Sequence, residues 1–309
     1  MGQEHGASFG LTLSGGGLWG LAHVGVLRAL EELGVRPAGI TGTSAGALVG
    51  GLYAAGVGVD DLWNLTLDVT RHHRRYLPLN YRGFVAGALR NLTRGRVRLR
   101  AQYGALISTR HFAALLRDLT QSQPMSATRI PLILVASDLS GGTRAILASR
   151  AVQPPPGSTV LPTSTPLYQA ILASMAVPLV FPSVVVAGRV LMDGGLCDGA
   201  PTDLLHLVAP RPHLAVLIGG TEGQPSLEPG FEEVATHSMG FVLRDLNRVR
   251  GETGVDLAIY PEPLGPLAGF SRAEALMESG YRAARAAWPE IRALLGMDLS
   301  AGDSAAAQG

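Results

Sequence analysis

The stretch Ile40-Thr41-Gly42-Thr43-Ser44-Ala45-Gly46-Ala47-Leu48-Val49-Gly50-Gly51-Leu52 decides the fold. Ile40 and Thr41 form a short run of strand character. Gly42 to Gly46 is a G-x-S-x-G turn, and the small residues after it read as a helix ending near Gly56. A serine on such a strand-turn-helix junction projects its hydroxyl out of the fold, and Gly42 and Gly46 relieve the crowding of the turn. The nearly uncharged stretch from Ile40 to Val59 also carries Gly42, Gly46 and Gly50 at the spacing of packed transmembrane helices. Thr41, Thr43 and Ser44, with breaks at Gly56 and Gly58, fit a buried strand, turn and helix better.

Working outward, Phe9 to Leu13 predicts a strand, Ser14 to Gly17 a glycine turn, and Leu18 to Leu33 a helix with Leu21, Val24, Leu27 and Leu30 buried and Gly34 as its stop. Alternation of strand and helix implies an α/β fold with parallel strands. Downstream, a helix is expected near Arg110 to Leu119, a strand pair at Leu132 to Ala136 and Ala145 to Ser149, and a loop from Gln153 to Thr165. A helix around Tyr168 to Ser174 and strands at Val184 to Val186, Val190 to Met192 and Leu214 to Ile218 follow. Phe231 to Arg250 reads as mostly helical. A last helix opens on a Ser271/Glu274 capping box and continues through Met277, Tyr281, Ala284, Trp288, Ile291 and Leu295. With no internal repeat or linker in view, one domain over residues 8–297 is expected, between a tail of residues 1–7 and a disordered tail of residues 298–309.

Composition narrows the function. The 309 residues are 47% hydrophobic and 16% charged, a globular profile, and the formal charge of +1 gives no global case for nucleic-acid binding. Positive charge is instead local: Arg71, Arg74, Arg75, Arg82, Arg90, Arg94, Arg96, Arg98 and Arg100 fall in a stretch without an acidic residue. Either a solvated basic surface or a patch for anionic membrane headgroups fits it. One cysteine, Cys197, excludes an intramolecular disulfide framework, and a small buried side chain is its expected role. Met1 to Gly10 shows no signal-peptide pattern, which makes the cytoplasm the default location. No cluster has metal-ligand spacing.

Gly15, Gly17 and Gly20 fit the G-x-G-x-x-G dinucleotide fingerprint, but the second strand ends in Thr41-Gly42-Thr43-Ser44 without the acid that would bind a ribose. The same loop suits another task. Backbone N–H groups at a helix start converge on negative charge, such as the oxyanion of acyl transfer. Ser44 then needs a base. His206, His213 and His237 all follow Asp193, so chain order alone permits a Ser-His-Asp triad. None has a favourable local context, whereas Asp193 ends a strand and enters Gly194-Gly195.

Together these segments resemble the patatin-like phospholipases and esterases, which use a Ser-Asp dyad. Ser14-Gly15-Gly16-Gly17-Leu18-Trp19-Gly20 and the helix after it look like the family's oxyanion loop; Gly42-Thr43-Ser44-Ala45-Gly46 matches its nucleophile motif; Asp193-Gly194-Gly195-Leu196, leading to Pro201, resembles its D-G-G motif. Ala173-Ser174 with Pro178, Phe181 and Pro182, and Phe270 to Leu294, are similar to further family segments. The resemblance implies a three-layer α/β/α fold with a central, mostly parallel sheet and hydrolysis of lipid acyl esters without metal or organic cofactor. It makes Ser44 the nucleophile, Asp193 the base, and the N–H groups around Gly15, Gly16 and Gly17 the oxyanion hole. Trp19 stands where many members have Arg or Lys. That favours a lipid acyl ester over a phosphate headgroup as the recognised element, with Trp19 either an apolar substrate contact or a packing residue.

Overall fold

The computed structural model describes residues 8–80, 105–219, 251–262, 264 and 270–297. Strand β1 (Gly10–Leu13) and strand β2 (Gly39–Thr43) are buried along their whole length, as strands covered on both faces must be. Between them a 3-10 turn, Gly17–Leu21, leads into helix α1 (Ala22–Glu32). The expected helix from Leu18 therefore starts as a tighter spiral. Gly20 lies against Ala45, where an added Cβ would come within 2.3 Å of the Ala45 Cβ, so the turn follows a close approach between segments. Gly34 ends this unit at φ +80°, and Gly56 (φ +101°) caps α2 (Ala45–Ala55) in the left-handed conformation.

Helix α3 (Val59–Arg71), the short α4 (His73–Tyr76) and α5 (Arg110–Leu119) precede β3 (Leu132–Asp138), β4 (Thr143–Ala148) and β5 (Ser158–Val160). β5 corrects the expected loop from Gln153 to Thr165, because residues 158–160 pair parallel with β4. Then come α6 (Leu167–Ser174), β6 (Val184–Val186), β7 (Arg189–Asp193), the 3-10 turn Thr202–Leu207, β8 (His213–Val216) and β9 (Leu257–Ile259). The central sheet has the order β5-β4-β3-β2-β1-β8-β9, and β7 joins it through β3. Pairs β1–β2, β1–β8, β2–β3, β4–β5 and β8–β9 are parallel, and β3–β4, β3–β7 and β6–β7 antiparallel, so the sheet is mostly parallel.

Residues of β3 alternate between its two faces. Leu132, Leu134 and Ala136 join Leu11, Leu13 and Ile40 in the larger core under the helices. Ile133 and Val135 join Ile146, Leu204, Leu205 and Val208 on the opposite face, completing a three-layer α/β/α arrangement.

The last helix departs from its expected form twice. α7 (Ala273–Ala286) begins after a 3-10 turn, Phe270–Arg272, and no side chain caps it, so Ser271 and Glu274 form no capping box. α8 (Trp288–Leu294) is a separate helix, with Pro289 in its first turn where a missing N–H costs no hydrogen bond. Phe231 to Arg250, His237, both tails and most of the Arg-rich stretch lie outside the described residues.

α7 packs on α1 through two glycines. A Cβ on Gly25 would lie 1.8 Å from the Met277 carbonyl oxygen, and one on Gly280 would lie 1.9 Å from that of Ala22. Both contacts are with backbone and cannot be relieved by a rotamer change. Gly25→Ala is therefore expected to destabilise the protein by at least about 1–3 kcal/mol, a loss of several degrees in thermal denaturation; an unchanged melting temperature would contradict this packing.

Candidate active site

Strand pairing assembles the site. β2 pairs with β3 only from Ile40↔Leu132 to Thr43↔Val135, while β4 covers the other edge of β3 from Ile133 to Asp138. Once β2 ends, that edge of β3 is taken by β7, whose Asp193 pairs with Ala136. Ser44 follows Thr43, so Ser44 and Asp193 meet at adjacent positions along one edge. The Ser44 hydroxyl donates a 2.7 Å hydrogen bond to Asp193 Oδ2.

Ser44 sits at φ 53° and ψ −117°, an unfavourable conformation for a residue with a Cβ, and one costing on the order of 1–3 kcal/mol. Several contacts impose it. The Ser44 N–H donates to Ser174 Oγ at 2.9 Å, and Ser174 Oγ donates in turn to the Val135 carbonyl at 2.6 Å. A Cβ on Gly46 would stand 2.0 Å from the Leu13 carbonyl oxygen, and one on Gly42 would stand 2.8 Å from that of Gly46, so neither position admits a larger residue. Ser174 lies within a segment that carries the family resemblance, yet its bracing role is visible only once β3 and α6 are juxtaposed.

Asp193 is 4% exposed. Its Oδ1 accepts from the Gly195 N–H at 2.7 Å, its own N–H donates to Ala176, and its carbonyl accepts from Ser137 Oγ at 2.8 Å. Gly194 passes so close to Val135 that a Cβ would fall 2.2 Å from the carbonyl oxygen. Burial pushes the Asp193 carboxyl up to about 6, against the pull of the Ser44 and Gly195 hydrogen bonds, which favour the anion.

The glycine loop requires one correction. The Gly15 N–H donates to the Gly199 carbonyl at 2.8 Å, so it is already used and cannot point at an oxyanion. The N–H groups of Gly16 and Gly17 have no acceptor among the described residues and start the 3-10 turn. Gly16 has no room for a side chain, since a Cβ would meet Ile218 Cγ2 at 2.5 Å, and Gly17 is held at φ +54°. Ser14 fixes the loop: its N–H donates to Val216, its hydroxyl accepts from the Ile218 N–H and donates to the Gly15 carbonyl, and its carbonyl accepts from His23 Nε2 at 2.8 Å. Burial lowers the His23 pKa to about 4, so the ring is neutral and acts as a strut.

Of the candidate histidine bases, His206 and His213 bond away from Ser44 and Asp193. His213 pairs with Gly10, at the end of β1 opposite Leu13, and its ring faces the Ala209 carbonyl. His206 Nδ1 faces the Asp203 carbonyl. Cys197 is half-buried in the wall of a cleft of about 640 Å3, near the Ser137 hydroxyl, and burial raises its pKa, which keeps it a thiol. Trp19 packs on the core and lines a small cavity with Ala22, Ile218, Pro261, Glu262 and Leu276; neither Ser44 nor Asp193 belongs to that lining, which fits its packing role and not substrate contact. Among the described residues no cluster of His, Cys, Asp and Glu could hold a metal ion.

A family model described as patatin-like phospholipase matches residues 11–206, the span that holds the glycine loop, the Ser44 turn and Asp193. The chain belongs to the patatin-like phospholipase family. An uncharacterized NTE family protein of Mycobacterium tuberculosis is 32% identical over 216 residues, covering 70% of this chain and 50% of the relative. Neuropathy target esterase sws of Drosophila melanogaster is 25% identical over 219 residues, 70% of this chain and 13% of the relative. Lysophospholipase NTE1 of Mycosarcoma maydis is 61% identical over 49 residues, 16% of this chain and 3% of the relative. This patatin-like chain thus spans half the length or less of these curated relatives. Among solved structures, VipD of Legionella pneumophila aligns with a TM-score of 0.46 at 15% identity, covering 93% of this chain and 67% of VipD.

Because Asp193 has its folded pKa raised above the ordinary value of 3.8, the folded state binds this proton more tightly than the unfolded chain. Its stabilising contribution is present below about pH 4 and is lost as pH rises through about 6. Two units correspond to about 3 kcal/mol. Asp193→Asn can keep the Gly195 bond and accommodate Ser44, so it is expected to raise the melting temperature at pH 8 by several degrees, with the advantage gone at pH 4. Equal melting temperatures at both pH values would contradict the buried, charged carboxylate.

Proposed function

We propose that this chain is a serine acyl-ester hydrolase acting on lipids through a Ser44–Asp193 dyad. The single observation that carries the reading is the 2.7 Å hydrogen bond from a strained, turn-borne serine hydroxyl to a buried carboxylate of raised pKa. Ser44 Oγ attacks the ester carbonyl carbon as its proton passes to Asp193 Oδ2. The tetrahedral oxyanion is met by the Gly16 and Gly17 N–H groups, supported by the start of α2, whose dipole favours negative charge next to Ser44. Collapse expels the alcohol, which leaves with the proton from Asp193. Water then gives its proton to Asp193 and attacks the acyl-serine, and return of the proton to Ser44 Oγ releases the fatty acid. No step requires a metal or an organic cofactor.

The lysophospholipase and esterase names among the relatives support a lipid ester as the substrate class. The absence of a basic side chain at position 19, often basic in the family, favours an acyl ester over a charged headgroup as the recognised element, with Trp19 itself packed on the core. On p-nitrophenyl acyl esters, Ser44→Ala and Asp193→Asn are expected to lose about three orders of magnitude in kcat or more, and His206→Ala and His213→Ala less than about fivefold. Full turnover by Ser44→Ala would reject the dyad, and a loss in either histidine variant matching that of Asp193→Asn would favour a triad.

Peripheral membrane contact is part of the same reading, though most of the Arg71 to Arg100 stretch lies outside the described residues. Its described start, Arg71, Arg74 and Arg75, is exposed. It leads to a ledge in which residues 106–108 bond to Pro78 and Asn80 on one side and to Leu179 and Val180 on the other. Leu79 and Leu179 are 78% and 56% exposed, and Leu179 holds φ +68° in doing so. It lies three residues beyond Ala176, which accepts the Asp193 N–H, so the ledge adjoins the proposed site. Exposed apolar side chains in a segment that begins with exposed arginines match an anionic bilayer surface. Each leucine inserted contributes about 1.5 kcal/mol or more, roughly tenfold in partitioning. Leu79→Ser with Leu179→Asn should release the protein from anionic vesicles and keep soluble-ester turnover; unchanged partitioning would remove the ledge from the account.

A further inference from the structure

We infer that Arg144 and Asp198 are positioning residues for the glycine loop, acting through the segment Asp198-Gly199-Ala200-Pro201. This rests on the proposed oxyanion role of Gly16 and Gly17.

The segment lies against β2 and the glycine loop and exchanges a hydrogen bond with each element of the site. Thr43 Oγ1 donates to the Asp198 carbonyl at 2.9 Å, and Thr41 Oγ1 donates to the Pro201 carbonyl at 3.0 Å. Thr41 and Thr43 are two residues apart on a strand and so present their hydroxyls to the same face. Between these two anchors the Gly199 carbonyl takes the Gly15 N–H at 2.8 Å. The Asp198 N–H returns to the Gly194 carbonyl, also at 2.8 Å, tying the segment to the turn that follows Asp193. Using up the Gly15 donor pins the Ser14–Gly15 peptide, and the Ser14 hydroxyl holds the Gly15 carbonyl of the next one, so the Gly16 N–H emerges from a backbone anchored on both sides of Gly15.

An ion pair from outside the site holds the start of the segment as well. Asp198 is 1% exposed, and its Oδ2 accepts from Arg144 Nη1 at 2.5 Å. Three further acceptor atoms fix the Arg144 guanidinium: Nη1 and Nη2 grip both carboxylate oxygens of Asp203 at 3.0 and 2.9 Å, and Nε donates to Ser158 Oγ at 3.2 Å. A guanidinium with its fork engaged on two carboxylates has little rotational freedom, and a lysine could not reproduce that grip. Arg144 is on β4 and Ser158 on β5, so the outer strands of the sheet carry the register of the glycine loop.

Removing one partner of a buried ion pair leaves an uncompensated charge and can simply unfold the protein. Three variants separate positioning from stability: Asp198→Asn, Arg144→Lys, and the double variant Arg144→Met/Asp198→Leu, which removes both charges together and leaves the more exposed Asp203 to solvent. The readouts are melting temperature, kcat and KM on a p-nitrophenyl ester, and the pH dependence of kcat/KM. The expected result is a kcat about tenfold lower in each folded variant, a fraction of what loss of a whole oxyanion donor costs, with KM within about twofold. The apparent pKa of the acid limb should stay where it is in the parent, because Asp193 touches neither Arg144 nor the Asp198 side chain. The double variant should recover melting temperature relative to Asp198→Asn without recovering kcat. A folded double variant with parental kcat would overturn the inference, and so would a shift of the acid limb that accounts for the lost rate. An inactive parent would instead reject the proposed function itself.

Discussion

Everything in the proposed site depends on how one strand edge is shared. β2 runs beside β3 as far as Val135 and stops, and β7 comes in from the opposite direction to occupy the next positions. A sheet edge left open there would expose unpaired backbone groups in a buried region. Filling it with β7 satisfies them and also places Asp193 against Ser44. The contact between hydroxyl and carboxylate is thus a consequence of strand register, and shifting β7 by one residue would turn Asp193 to the other face.

The site then holds two features that are unfavourable in isolation. Ser44 occupies a strained backbone conformation, and Asp193 is a carboxyl buried almost completely. Both are over-determined by their surroundings. Ser174 bridges the Ser44 N–H to Val135, glycines at 42, 46 and 194 allow backbone to pass within van der Waals contact, and the Gly195 N–H supports the carboxylate. The glycine loop is held just as fully, by Ser14, His23 and Gly199, which leaves two N–H groups without an acceptor among the described residues. That combination, strain and unspent donors inside a well-bonded shell, is what preorganisation for an oxyanion requires.

Much of this was legible in the sequence because it rests on local rules. The G-x-S-x-G turn, the Gly34 and Gly56 stops, the helix from Arg110 to Leu119 and the strand at Val184 to Val186 follow from periodicity and glycine placement over a few residues. Asp193 was readable as a strand-end carboxyl, and the family resemblance paired it with Ser44. What could not be read depends on distant partners. β5 exists only because β4 offers an edge, the start of α1 tightens because Gly20 meets Ala45, and Gly15 loses its donor to a carbonyl 184 positions later. The last helix failed for a local reason: Pro289 was compatible with helical spacing yet sits at the start of a second helix.

In the proposed dyad, Asp193 with a pKa of about 6 activates Ser44. The most direct test is the rate at which a fluorophosphonate probe labels the folded protein between pH 4 and 9, with the labelled residue located by peptide mapping. The account predicts labelling at Ser44 alone, at a rate that rises through an apparent pKa of about 6 and falls to background in Asp193→Asn. Labelling at another serine, or labelling of Ser44 at the same rate in Asp193→Asn, would contradict it.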